Sequence, residues 1–126
     1  MTGGDPIRRG ALYWVPDTSV ALPPTTSKDR VPHPRRPFLI ISNDERNADY
    51  AWPVVLGFPL TTSLEFKTEY DVAVAKGVAG LAQDSVIRVV MLQPIAKAKL
   101  TQRMGQLPAS TVEECVARML DYAGLL

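Results

Sequence analysis

The chain has few residues of the types that build redox, metal or disulfide sites. It contains one cysteine, Cys115, and one histidine, His33, among 126 residues. A lone cysteine excludes an internal disulfide and a multi-cysteine metal site, and it fits a reducing compartment. The short acidic groups at 44–45 and 69–71 lack the histidine support and spacing of a metal set. We therefore predict no metal and no cofactor.

Long hydrophobic runs are also lacking. The apolar stretches fall short of the roughly 18 residues that would suggest a membrane helix. Residues 1–6 have no apolar core of a signal peptide. We therefore expect no membrane association and a cytoplasmic location. Hydrophobic residues make up 46% and charged residues 21% of the chain, which is typical of one globular domain.

Charge of one sign is not in excess, because 14 Lys and Arg balance 13 Asp and Glu for a net charge of +1. No global field for nucleic acid follows from that total. Residues 1–36 and 85–126 are nevertheless more basic than the segment 37–84 between them. This distribution permits a local patch for an anionic ligand.

The hydrophobic patterns predict a protein of short strands followed by one helix. The predicted strands lie at 11–15, 38–43, 52–61, 70–75, 86–92 and 102–107. The first two are separated by a long proline-rich loop, 16–36, whose length argues for function or disorder. We expect one domain over 1–126, with a disordered tail at 1–7.

The last segment is predicted to be a helix over 109–124. Ser110 and Glu113 have the spacing of a capping box after Pro108. We expect an apolar face that packs on the strands. Its predicted contacts join Val112, Val116, Met119 and Leu120 to strand residues such as Ile40 and Val55. Short strands with one packed helix indicate a small, curved β-barrel of the α+β or mostly β class.

An arginine–proline step and a hydroxyl cluster are the most informative local features. Arg36-Pro37 opens an apolar strand, and Thr61, Thr62 and Ser63 end the next one. A guanidinium presents a planar fork of donors that suits phosphate. Hydroxyls at a neighbouring strand end can donate to the same oxyanion. Together they indicate a site for phosphodiesters, with RNA as the favoured source.

Five segments, in order along the chain, resemble the MazF/PemK (Kid-like) toxins of bacterial type II toxin–antitoxin modules. The matching segments are 8–15, 36–44, 59–63, 80–89 and 97–107, followed by the helix. The resemblance implies an SH3-like β-barrel of the CcdB/PemK type with a C-terminal helix. It also implies a homodimer in the bacterial cytoplasm and a metal-independent endoribonuclease (an mRNA interferase) that cleaves single-stranded RNA at short sequences.

The resemblance also implies the roles of particular residues. Arg36 and Thr61 correspond to the arginine and threonine that carry the family's chemistry, in which a 2′-OH attacks the adjacent phosphate. We expect further RNA contacts from Arg35, Thr62, Ser63 and Arg88, with Trp14, Trp52 or Tyr50 as candidate stacking residues. A cognate antitoxin is the implied protein partner. Its acidic or apolar tail is expected to lie along the dimer groove and displace loop 16–36, which is rimmed by Lys28, Arg30, Arg35 and Arg36.

The chain departs from the family pattern at positions that bear on catalysis. Val90 stands where many members have a carboxylate, and Met91 where they have Gln. Ala11 replaces the usual acid of the opening strand. His33 lies three residues before Arg36 and is a possible acid/base, since histidine titrates near neutrality. The alternative is an exposed loop histidine with no catalytic role.

Two other functions remain open from the sequence. One is a non-catalytic barrel toxin that resembles the CcdB gyrase poisons. The other is a degenerate family member that binds antitoxin or RNA without cleavage, which Val90 and Met91 favour. The presence of both Arg36 and Thr61 argues against each.

Overall fold

A computed structural model describes residues 6–22 and 34–126. Within these ranges the strands are β1 (Ala11–Pro16), β2 (Arg35–Ile40), β3 (Val54–Thr61), β4 (Val72–Val74), β5 (Ser85–Ile87), β6 (Gln93–Ala96) and β7 (Gln102–Gln106). The helices are α1 (Asp44–Ala48) and α2 (Ala109–Tyr122). Short 3-10 turns lie at Asp17–Ser19, Val78–Gly80, Val89–Met91 and Lys97–Lys99.

The strands form one curled antiparallel sheet in the order β4-β5-β3-β2-β1-β7, with β6 also paired to β3. Strand β3 serves two partners along the same edge. Its first half, Val54 to Gly57, pairs with β6, and its last residues, Leu60 and Thr61, pair with β5. This division bends the sheet into a half-barrel, which confirms the predicted barrel with a C-terminal helix.

Two apolar cores lie on the two faces of the central strands. On one face, Leu12 and Leu39 belong to a cluster that includes Val112 and Cys115 of α2. On the other face, Tyr13 and Phe38 belong to a second cluster. Because side chains alternate between the faces of a strand, β1 and the second half of β2 supply both cores and are continuously apolar in sequence.

The predicted contacts of the helix need a correction. Val112 is buried and Val116 and Met119 are partly buried, but their cluster is the one with Leu12 and Leu39. Ile40 and Val55, the expected partners, lie in the second cluster. Ile40 is next to Leu39 in β2, and a shift of one residue in a strand exchanges the faces of the sheet.

The predicted start of α2 at residue 109 is confirmed, but the predicted capping box is not. The helix begins at Ala109 with Pro108 as its N-cap, and no side chain caps it. Ser110 lies one residue inside the helix, so the capping box does not form. Proline fixes φ near the value that a helix needs, and this favours helix initiation just after it.

The strands differ from the predicted ones at several boundaries, and one strand was not predicted. Strand β2 begins at Arg35, earlier than expected, and β5 ends at Ile87, where a 3-10 turn follows. Strand β6, which contains Pro94, is not among the strands predicted from the sequence. Among the described residues β6 pairs with β3 alone, and an edge strand tolerates a missing N–H. The described residues include no helix with the length and apolar character to cross a membrane.

Candidate active site

A cleft opens where β1 and β2, the end of β3 and the start of β5 meet. Its volume is about 180 Å³. It is lined by Trp14, Arg35, Arg36, Pro37, Leu60, Thr61, Thr62, Leu81, Ala82, Gln83 and Ser85. Four of the predicted site residues, Arg35, Arg36, Thr61 and Thr62, are therefore brought to one place.

Arg36 is held in a fixed orientation at the base of the cleft. Its Nε donates to Asp17 Oδ1 at 2.8 Å, and its Nη1 donates to the carbonyl oxygen of Leu60 at 3.0 Å. Arg36 is 7% exposed and Asp17 is 4% exposed. The ion pair compensates the buried guanidinium, and the carbonyl joins it to the end of β3. The cation is thus fixed beside Thr61.

The β1–β2 register explains how Asp17 reaches Arg36. Val15 is paired with Arg36 and Pro16 with Arg35. The residue that follows Pro16 enters a 3-10 turn, and its carboxylate turns back toward the guanidinium. We did not identify Asp17 from the sequence, because its role depends on this register.

The hydroxyl oxygen of Thr61 already accepts one hydrogen bond. The backbone N–H of Ser63 donates to Thr61 Oγ1 at 3.1 Å. This leaves the hydroxyl proton of Thr61 available to donate into the cleft, which is the role that an oxyanion requires. Ser63 does not line the cleft; its own hydroxyl oxygen accepts from the backbone N–H of Glu65.

The candidate stacking residues occupy different parts of the surface. Trp14 lines the cleft and lies under Arg35, whose Cζ is 3.9 Å from the centroid of the tryptophan ring. Trp52 is instead covered by Arg46, at 4.7 Å, and does not line the cleft. Tyr50 is fully exposed and is also outside it.

Arg88 lies apart from the cleft. It is 4% exposed, and its Nε donates to Asp71 Oδ2 at 2.9 Å in a buried ion pair. This ion pair gives Arg88 a structural role in the described fold, and the RNA contact expected for it stays a prediction. Val90 lies in the 3-10 turn that follows β5. His33, Lys28 and Arg30 lie outside the described residues.

The segment that precedes β5 is a wall of the cleft that the sequence did not reveal as part of the site. Gln83 and Ser85 both line the cleft, and the Ser85 hydroxyl donates to the carbonyl oxygen of Gln83 at 2.9 Å. A glutamine in a turn-rich link carries no motif of its own. Only the pairing of β5 with the end of β3 places it beside Thr61.

No group of three or more metal-ligating His, Cys, Asp or Glu side chains occurs in the described part of the chain. Cys115 lies in α2 and is buried in the core. Burial raises the pKa of its thiol to about 12. The thiol therefore stays protonated near neutral pH. Because the thiolate is the nucleophilic form, Cys115 is a packing residue and not a nucleophile.

Comparison with known proteins identifies the family. The family model described as "PemK-like, MazF-like toxin of type II toxin-antitoxin system" matches residues 8–121. The chain belongs to this family. Endoribonuclease MazF2 of Mycobacterium bovis is 30% identical over 118 residues, which are 91% of this chain and 97% of that protein. Endoribonuclease MazF6 of Mycobacterium tuberculosis has the same identity and coverage.

A solved structure supports the fold of this PemK/MazF family member. It is described as an endoribonuclease in complex with its cognate antitoxin from a mycobacterial species. The TM-score is 0.67 at 18% identity, and the match covers 98% of each chain. At that identity the likeness concerns the fold alone.

Proposed function

We propose that this chain is the toxin of a type II toxin–antitoxin module and that its cleft cleaves single-stranded RNA without a metal ion. The observation that carries the proposal is the convergence of Arg36 and Thr61 on one cleft. Family membership and the two endoribonuclease relatives support the activity. RNA as substrate implies action in the bacterial cytoplasm.

The proposed reaction is an internal transesterification. The 2′-oxygen of one nucleotide bonds to the adjacent phosphorus, and the bond from phosphorus to the 5′-oxygen of the next nucleotide breaks. One fragment ends in a 2′,3′-cyclic phosphate and the other begins with a 5′-OH. The proton lost by the 2′-OH is balanced by the proton gained by the leaving oxygen.

Arg36 and Thr61 would stabilise the negative charge that develops on the phosphate oxygens. Arg36 is held by Asp17 and the Leu60 carbonyl before substrate arrives, so little reorganisation is needed during the reaction. Thr61 would donate its hydroxyl proton to a non-bridging oxygen. Arg35 and Thr62 would make further contacts with the RNA.

The proton transfers need a group that the described cleft wall does not supply. Among its described lining residues none is a carboxylate or a histidine. Asp17 lies directly behind Arg36 and holds it through the ion pair. We propose His33, three residues before Arg36 in the chain, as the candidate acid/base.

RNA cleavage in the presence of a chelator tests the proposal. We expect Arg36→Ala to abolish cleavage of a long RNA, because it removes the principal stabilising charge. Arg36→Lys should rescue poorly, because an ammonium cannot bind both Asp17 and a phosphate as a planar fork does. Thr61→Ala should lose about 10²–10³-fold in rate as the loss of one transition-state donor.

The matched control is Arg8→Ala, which removes an exposed arginine outside the cleft and should leave the rate unchanged. Circular dichroism should show that every variant is folded. Cleavage by Arg36→Ala at the parent rate would reject the site. His33→Ala should reduce the cleavage rate strongly if this histidine transfers a proton, and only slightly if it does not.

A non-cleaving family member is the second candidate. One observation that favours it is Val90, which stands where many members carry a carboxylate. The other is that the described residues of the cleft wall include no carboxylate and no histidine. RNA binding that is lost in Arg36→Ala, with no cleavage by the parent protein, would select this alternative.

We further propose that the toxin is a homodimer and that its partner is a cognate antitoxin. Exposed apolar side chains of the described surface, including Trp52, Leu56 and Leu92, are consistent with an interface. Sedimentation velocity at micromolar concentration should show a dimer; a monomer alone would contradict this. The antitoxin contact predicted for loop 16–36 involves Lys28 and Arg30, which lie outside the described residues.

A further inference from the structure

Besides Arg36, three side chains of the cleft carry planar groups, and none of them is assigned to the scissile phosphate. They are Trp14, Arg35 and Gln83. Trp14 and Arg35 belong to β1 and β2, and Gln83 belongs to the segment before β5. They share a cleft with Arg36 and Thr61, so a nucleotide whose phosphate contacts Arg36 would have its base within reach of them.

Trp14 and Arg35 form a stacked pair because of the strand register. Trp14 is paired with Pro37, and Arg35 is two residues from Pro37, so both side chains project from the same face of the sheet. The 3.9 Å distance from Arg35 Cζ to the ring centroid places the guanidinium on the indole. Arg35 is exposed, so its outer surface remains open to a planar ligand. Arginine planes are a recurrent stacking surface for unpaired bases.

Gln83 brings an amide group to the cleft. Its backbone carbonyl is held by the Ser85 hydroxyl, which fixes the position of the residue. Its side chain is exposed in the cleft. An amide carries both donors and an acceptor, which is the pattern that base edges present.

We propose that Trp14, Arg35 and Gln83 form a nucleobase subsite beside the scissile phosphate, in which the base stacks on Arg35 and its edge is read by Gln83. The proposal rests on the proposed function, since it assumes that the cleft binds RNA. The cleft volume of about 180 Å³ agrees with it. This volume is smaller than the roughly 300 Å³ of the smaller pockets that enclose a whole small-molecule ligand. A fragment of a longer polymer fits such an open cleft.

Binding of non-cleavable RNA tests the subsite separately from catalysis. The probes are 2′-O-methyl hexanucleotides of each base, and copies of the tightest binder with an abasic residue at each position in turn. Binding is followed by the fluorescence of Trp14 in a Trp52→Phe background. In this protein we expect one abasic position to weaken binding by roughly ten-fold or more and to remove most of the Trp14 response.

The protein variants then assign that loss to the subsite. Gln83→Ala and Arg35→Ala should each bind the base-containing probe several-fold more weakly, and each should suffer a smaller penalty from the abasic replacement. Gln106→Ala is the matched control, because Gln106 lies at the other end of β7 and outside the cleft. It should retain the full abasic penalty.

The outcomes separate the two proposals. If the abasic replacement weakens binding equally in Gln83→Ala and in the Trp52→Phe background protein, the role of Gln83 is overturned. If the abasic replacement weakens binding at none of the positions, the subsite is overturned. Failure to bind any hexanucleotide would overturn the subsite and the RNA function together. Specific binding with an abasic penalty, but without cleavage of unmodified RNA, would reject only the ribonuclease activity.

Discussion

Arg36 is a buried charge, and Asp17 is the residue that allows it to be buried. A charged group taken out of water is costly unless it is paired and hydrogen-bonded. The Arg36 guanidinium has both kinds of partner, a carboxylate and a main-chain carbonyl. These partners therefore fix the orientation of the guanidinium, and the carboxylate also compensates its charge.

This pairing predicts different effects for two substitutions of Asp17. Asp17→Asn keeps an oxygen that can accept from Arg36 Nε but removes the ion pair. We expect a folded protein with lower kcat and little change in KM, because the guanidinium is less firmly positioned. Asp17→Ala removes the hydrogen-bond acceptor as well as the charge, so the buried guanidinium loses both and the cost should be about 3–5 kcal/mol in unfolding free energy.

RNA cleavage kinetics and urea denaturation measure the two effects. Equal loss of stability in both variants, with kcat unchanged in the folded fraction, would show that Asp17 only supports the fold. The exposed Thr18→Ala variant in the same turn controls for disturbance of the backbone.

The sequence predicts residues of the cleft where they belong to a motif, and it does not predict those whose place depends on strand register. Arg36 and Thr61 were found because an arginine before proline and a threonine at a strand end match family segments. Asp17 and Gln83 become neighbours of these residues only through the β1–β2 and β3–β5 pairings. Ser63 and Arg88 matched the family order but lie outside the cleft, since sequence order does not fix the direction of a side chain.

At the scale of elements, the turn before β4 is tied to two other parts of the fold. Asp71 Oδ2 accepts from the backbone N–H of Thr68 and from Arg88 Nε, each at 2.9 Å. Arg118 of α2 donates to the carbonyl oxygen of Glu69 at 2.7 Å. The turn thus joins the end of β5 to the C-terminal helix. The other oxygen of Asp71, Oδ1, is buried without a hydrogen-bond partner.

We expect the Asp71–Arg88 pair to be more important for stability than an exposed pair of the same type. Arg88→Ala should cost about 3–5 kcal/mol, because it leaves Asp71 buried and uncompensated. The double variant Asp71→Leu/Arg88→Met should recover much of that loss. Glu114→Ala, which breaks the half-exposed pair with Arg118, should cost no more than about 1 kcal/mol.

Urea denaturation of the four proteins, including the parent, tests this ordering. Loss of the same free energy in Arg88→Ala and Glu114→Ala would contradict the structural role of the buried pair. A double variant as unstable as the single one would show that packing around Arg88, and not the uncompensated charge, determines the loss.

At the scale of the whole molecule, the curl of the sheet is what assembles the cleft. It brings the ends of three central strands and the start of β5 to one end of the half-barrel. The chain before β5 is held there by a close backbone contact with β7. A Cβ at Gly105 of β7 would lie 2.7 Å from the carbonyl carbon of Ala79, and one at Gly80 would lie 2.6 Å from the carbonyl oxygen of Met104.

Two glycines of one turn provide a matched test of this contact. Gly77 and Gly80 both have positive φ, of 92° and 81°, so alanine is strained at either position. A Cβ at Gly77 meets nothing within 4 Å, whereas one at Gly80 meets the backbone of β7. Gly77→Ala should cost about 1–2 kcal/mol from strain alone. Gly80→Ala should cost about 1–3 kcal/mol more, because the two backbones must separate.

Separation at this contact should also reach the cleft, because Gln83 and Ser85 follow Gly80 on the same wall. We therefore expect Gly80→Ala, but not Gly77→Ala, to weaken the binding of 2′-O-methyl RNA in the fraction that remains folded. Urea midpoints and fluorescence titrations on the same samples measure both effects. Equal stability of the two variants would mean that the contact with β7 does not limit the approach of the strands. Unequal stability with equal RNA affinity would mean that the cleft wall is held independently of it.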